Sequence, residues 1–72
     1  MMKLFTRKMC SECQRLKQDG LPDDVEVLDC DEFEALGDAA FYGVYDYPTL
    51  RLEDGTTVTG YDAIKEQLDE SR

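Results

Sequence analysis

The sequence predicts an α/β domain, a four-stranded mixed sheet covered by three helices in the order βαβαββα. Three observations carry that reading. The chain opens strand–helix–strand, which calls for a parallel pair with a right-handed crossover. A helical apolar period follows Asp31. Further on, Asp54-Gly55 joins two short strand-like runs, a strong hairpin signal that adds an antiparallel pair.

Taken in order, Met2 to Thr6 is a short run with Leu4 and Phe5 that suits an interior strand. After Cys10, the spacing of Cys13, Leu16 and Leu21 predicts a helix stopped near Gly20, with Pro22 beyond it. Val25 to Asp29 is the second strand, carrying Val25, Val27 and Leu28. The strongest periodic signal comes next. Phe33, Leu36, Gly37, Ala40, Phe41 and Val44 fall on one predicted helix face, with Asp31 and Glu34 as a capping box and Gly43 as the stop. Tyr47-Pro48 breaks this pattern before a third strand over Thr49–Glu53, with Leu50 and Leu52 on one face. Thr56–Thr59 is the fourth strand, and Tyr61 to Glu70 the last helix, with Tyr61, Ile64 and Leu68 on one side. Neither a repeat nor a linker interrupts residues 1–72, so one domain is expected, with helices on both faces of its sheet.

The chain has 72 residues, 42% of them apolar, enough for a small core and too many for a disordered tail. No apolar run approaches the roughly 20 residues that span a bilayer, and Met1-Met2-Lys3-Leu4 is no signal peptide. Three cysteines cannot all pair within one chain, which argues against a secreted disulfide framework. A cytoplasmic monomer without membrane contact is the expectation. With no His, the chain has no imidazole catalysis and no His-rich metal site.

The net charge is −9, unevenly spread. Residues 1–17 hold Lys3, Arg7, Lys8, Arg15 and Lys17 against Glu12 alone, whereas residues 18–72 hold sixteen acidic groups against three basic ones. So acidic a chain is a poor binder of nucleic acid, which requires a basic footprint. The acidic remainder reads as a solvated surface. The basic segment is expected to steer acidic partners toward whatever it surrounds.

It surrounds Cys10-Ser11-Glu12-Cys13, a CxxC at the junction of first strand and first helix. Unpaired N–H groups and about half a positive charge at a helix start favour a thiolate, the attacking species in disulfide exchange. Arg7 and Lys8 add charge of the same sign, and Glu12 opposes it weakly. Three residues of helix bring Cys13 under Cys10. A redox pair is therefore the leading reading. A zinc pair is less suited, because structural zinc takes four Cys or His ligands. A two-chain iron–sulfur or metal-binding module and a non-catalytic adaptor are the alternatives from other classes. Cys30 ends a strand and reads as a small apolar residue, with a regulatory thiol as the sharper alternative. Met9 either covers the sulfur or packs on the surface.

Four stretches resemble the thioredoxin superfamily, glutaredoxin-like proteins in particular: Thr6-Arg7-Lys8-Met9-Cys10-Ser11-Glu12-Cys13, Tyr42-Gly43-Val44 with Tyr47-Pro48-Thr49-Leu50, Asp54-Gly55, and Thr59-Gly60-Tyr61-Asp62. The likeness spans essentially the whole chain and implies a thioredoxin-like fold. It further implies that Cys10 attacks and Cys13 resolves, forming a Cys10–Cys13 redox disulfide. Pro48 would be cis, placing the backbone of Tyr47 beside the disulfide to receive substrate. Arg7 falls where glutaredoxins carry a basic residue for the glutathione glycine carboxylate. Gly60, Tyr61 and Asp62 would lie at a helix start whose N–H groups can hold a carboxylate, although Asp62 can equally serve as a cap. A trans Pro48 at a strand's first residue is the plainer alternative.

The chain departs from the glutaredoxin pattern at several positions. Ser11-Glu12 replaces the usual Pro-Tyr, Asp46 a small hydroxyl residue, and Tyr47 a smaller side chain, and no Lys or Arg lies between Lys17 and Arg51. The function expected is a dithiol–disulfide oxidoreductase acting on protein or small-molecule disulfides without a tightly bound cofactor or metal. Its electrons would come from glutathione, as in glutaredoxins, or from a flavin-dependent thioredoxin reductase.

Overall fold

Residues 1–70 are described by a computed structural model. They form β1 (Met2–Thr6), α1 (Ser11–Asp19), β2 (Val25–Asp29), α2 (Phe33–Phe41), β3 (Thr49–Arg51), β4 (Thr57–Thr59) and α3 (Tyr61–Glu70), the predicted order. The sheet runs β2-β1-β3-β4. β1 pairs parallel with β2, matching Thr6 to Asp29, and antiparallel with β3, matching Leu4 to Leu50. β4 pairs antiparallel with β3 across the predicted hairpin.

Central placement of β1 makes its two faces two cores. Met2 and Leu4 point to one side, where they meet Leu16 of α1, Leu50 of β3, and Ile64 and Leu68 of α3. Phe5 points to the other, against Cys30, Val44 and two residues of α2, Ala35 and Ala39. Leu4 and Phe5 are fully buried, each contributing roughly 1.5–3 kcal/mol by leaving water. At the end of β1, buried Thr6 donates its hydroxyl to the carbonyl of Leu28 at 3.1 Å, so no polar atom is stranded there.

α2 occupies its predicted place but turns a different face inward. Ala35 and Ala39 are buried, whereas Phe33 is 90% and Phe41 82% exposed, and Leu36 is also exposed, though less so. The cause is volume. The Phe5 ring already fills the space beneath the helix, and small residues let the helix settle over it at native packing density. The predicted stop holds. Gly43, at φ +73°, lets the Val44 N–H reach back to the Ala39 carbonyl at 2.7 Å and turns Val44 into the core.

The predicted capping box at the start of α2 does not form. The cap residue is Glu32, whose side chain makes no capping bond, and the Asp31 carboxylate is engaged instead by Arg7 and Lys8. β3 and β4 are also shorter than predicted. Beyond Arg51 the chain closes a turn: the Leu52 N–H donates to the Thr56 carbonyl, the Gly55 N–H to the Leu52 carbonyl, and the Thr56 N–H to the Asp54 carboxylate.

Candidate redox site

Where β1 ends, Arg7-Lys8-Met9 turns the chain into α1, and Cys10 is the residue that caps it. Its backbone is extended (φ −140°), and its sulfur accepts the Cys13 N–H at 3.2 Å. The two cysteines form a disulfide, with Cα atoms 5.2 Å apart. Cys13 is fully buried under the first turn, while Cys10 is only partly covered. One sulfur therefore meets solvent at the positive end of a helix and the other waits behind it, the asymmetry that an attacking and a resolving thiol require.

Asp31 fastens this turn. It accepts the Lys8 N–H at 2.7 Å on one oxygen, and Nε and Nη2 of Arg7 at 3.2 and 2.9 Å on the other. The parallel register explains its reach: with Thr6 beside Asp29, residue 31 arrives alongside residue 8. The Lys8 N–H first, and then Arg7, hold the Asp31 carboxyl below its ordinary value, and Asp31 in turn raises the already high pKa of Arg7. Lys8 and Lys3 lie 3.9 Å from Asp29 and Glu26. Three charges of the basic segment are thus matched by acids of β2 and the turn after it, which revises the expectation of a bare positive face.

Facing the disulfide is the loop before β3. The Tyr47–Pro48 peptide is cis, and Pro48 is buried. The Thr49 hydroxyl donates to the Asp46 carbonyl at 2.6 Å and lies 3.0 Å from that of Thr59. The Gly60 N–H donates to the Pro48 carbonyl at 3.0 Å. The half-buried Tyr47 ring lies 5.6 Å from the Arg7 guanidinium and packs on the cluster that contains Cys30. Burial, followed by the neighbouring Cys30, pushes the Tyr47 phenol up. Burial likewise raises the Cys30 thiol, which points weakly at the Ala35 carbonyl, 3.8 Å away.

At the start of α3, Gly60 takes φ +97°, a backbone that only glycine adopts without strain, and turns the chain into the helix. The Tyr61 N–H is already satisfied by Oε1 of Glu12 at 2.8 Å. Glu12, from the CxxC itself, therefore ties the redox turn to α3. Further down the same helix pair, the Tyr61 hydroxyl donates to Asp19 and the Arg15 guanidinium lies 4.2 Å from the Tyr61 ring. Asp62 lies in the first turn of α3.

A groove of about 380 Å³ opens over Cys10. Of the residues singled out from the sequence, Arg7, Met9, Cys10 and Tyr47 line it, joined by Ser11, Glu12, Tyr45 and Asp46. Lys8, Gly60, Tyr61 and Asp62 do not line it, and Cys13 and Pro48 are buried. Met9 is 99% exposed, so it does not blanket the sulfur. Sequence reasoning missed Tyr45 and misread Asp31. For Asp31 the signal was available, because a parallel strand–helix–strand unit places the two strand ends side by side.

No protein-family model matches the chain, and no curated protein matches it in sequence. Two solved structures do match its fold. The crystal structure of the thioredoxin-like protein BC3987 is 25% identical, with a TM-score of 0.64 over 93% of this chain and 96% of that one. A point mutant of the same protein gives 24% identity and a TM-score of 0.68 over 94% and 97%. The fold is thioredoxin-like, and the adjacent Cys10–Cys13 pair fits a redox role. No helix among the described residues is long and apolar enough to cross a membrane.

Proposed function

We propose that this thioredoxin-fold protein is a dithiol–disulfide oxidoreductase. In the reduced protein the Cys10 thiolate attacks one sulfur of a substrate disulfide, forming a mixed disulfide and expelling the other half as a thiolate. Cys13, losing its proton to water, then attacks the Cys10 sulfur and expels the second half. Two electrons pass from the protein dithiol to the substrate, which leaves as two thiols, and the Cys10–Cys13 disulfide remains. Glutathione or a flavin-dependent thioredoxin reductase returns the electrons, and the protein works as a cytoplasmic monomer without a bound cofactor.

One observation supports this reading above the others: the partly exposed Cys10 caps a helix with its sulfur, is bonded to a buried partner one turn on, and forms part of a groove wall. The Cys13 N–H that Cys10 already receives can stabilise its thiolate, since hydrogen bonds to ionised acceptors are about twice as strong as neutral ones. The test is a pair of variants. Cys13→Ser should accumulate a covalent adduct with a disulfide substrate, visible by mass spectrometry, and Cys10→Ser should reduce nothing. Normal disulfide reduction by Cys10→Ser would overturn the mechanism.

A further inference from the structure

The charges that the groove presents to a substrate differ from those of the segment it lies in. Arg7 lines the groove, but its guanidinium is bonded twice by Asp31. Lys8 does not line it and lies beside Asp29. The positive ends of both nearby helices are also engaged. The start of α1 is directed at the Cys10 sulfur, and the first N–H of α3 holds the Glu12 carboxylate. That leaves two uncancelled charges in the wall, Glu12 and Asp46. Glu12 is held toward the start of α3 by its bond to the Tyr61 N–H, so swinging aside for an incoming anion would cost it that bond. Met9 and Tyr45, 99% and 75% exposed, complete the wall with uncharged, largely apolar surface.

We infer that Glu12 and Asp46 are specificity-determining residues that select disulfides carried on basic polypeptide segments and turn away carboxylate-bearing ones, glutathione included, which, of the two donors named above, favours the flavin-dependent reductase. A substrate carboxylate entering the groove meets two like charges and finds the start of α3 already taken. A lysine or arginine flanking the substrate disulfide meets the same two charges as partners. This selection rests on the dithiol chemistry proposed above, with Cys10 as the attacking atom in every case.

The experiment uses the prereduced protein in single turnover, so that no electron donor has to be identified. Two synthetic disulfide peptides are compared, alike except that lysines in one replace glutamates in the other. Rates are measured for the wild type, for Asp46→Asn, and for Glu12→Gln with Asp46→Asn, each corrected by Cys10→Ser. The amide oxygen introduced by Glu12→Gln can still accept the Tyr61 N–H, so the fold of the redox turn is retained. Differences in intrinsic peptide reactivity cancel when the lysine-to-glutamate rate ratio of a variant is divided by that of the wild type. The ratio should fall by about fivefold in the double variant, in keeping with two screened surface charges, and by part of that in Asp46→Asn. Added salt should lower the ratio in the wild type and barely change it in the double variant. An unchanged ratio would overturn the selection while leaving the chemistry standing. Should the wild type reduce neither peptide faster than Cys10→Ser, the oxidoreductase reading itself fails and the selection falls with it.

Discussion

Asp31 shows how one side chain can serve the site from outside the groove. The pattern Asp31…Glu34 satisfies a capping rule, and the sequence offers no local reason to reject it. The competing demand is tertiary: the turn before Cys10 needs an acceptor for the Lys8 N–H and a counter-charge for Arg7, and the β1–β2 register delivers Asp31 to both. Two outcomes follow from its removal. Because the folded carboxyl lies below the unfolded value of about 3.9, Asp31 stabilises the native state above that pH, and its contribution disappears as pH falls through the folded value. Asp31→Asn should therefore lower the urea midpoint at pH 7 by more than it does at a pH below about 3.9, where the deficit shrinks as the carboxyl protonates; a deficit that does not change with pH would contradict the linkage. Freeing Arg7 from its counter-charge should also favour the Cys10 thiolate, so the pH profile of iodoacetamide alkylation should move to lower pH in Asp31→Asn. Arg7→Gln, which leaves Asp31 uncompensated, should move it the other way.

Among the elements, α2 separates what a one-dimensional pattern carries from what it does not. Its place and its stop were readable, because Phe33 to Val44 is periodic and Gly43 can adopt the left-handed backbone that ends a helix. The face it buries was not. Periodicity weights large apolar residues, and here the large residue that fills the space beneath the helix is Phe5, contributed by β1. Nothing local to residues 33–44 encodes that volume. The same contrast runs through the site: the CxxC at a helix start is a local motif and was legible, whereas the bond from Glu12 to α3 spans 49 positions and was not. Packing at α2 can be tested by paired substitutions. Ala39→Leu should cost about 1–3 kcal/mol by overfilling the contact with Phe5, as inserted methylenes do in a packed core. Phe33→Ser, on the exposed face, should stay within about 0.5 kcal/mol. Chemical denaturation of both variants is the check, and the reverse ranking would restore the face that the sequence pattern suggests.

At the scale of the whole molecule, topology and charge meet. The βαβ opening and the hairpin were enough to read a mixed four-stranded sheet, since both motifs constrain strand direction through chain connectivity. The segregation of charge into a basic start and an acidic remainder was equally plain, but its consequence depended on pairing between β1 and β2 that composition does not contain. What remains after pairing is a net −9 on a body with extents of 31 × 26 × 19 Å. At about 0.01 M salt the screening length is about 30 Å, so every charge feels every other, and their repulsion opposes the compact state. At about 0.1 M it shrinks to about 10 Å. The salt bridges among the described residues, with N–O distances from 2.9 to 3.9 Å, lie well inside that length, whereas repulsion across the molecule lies outside it. Salt should thus remove the unfavourable interactions before the favourable ones, and exposed pairs contribute only about 0–1 kcal/mol each in any case. The thermal midpoint should rise as sodium chloride increases from about 0.01 to about 0.5 M. A midpoint that falls over this range would mean that the surface pairs outweigh the self-repulsion of the acidic shell.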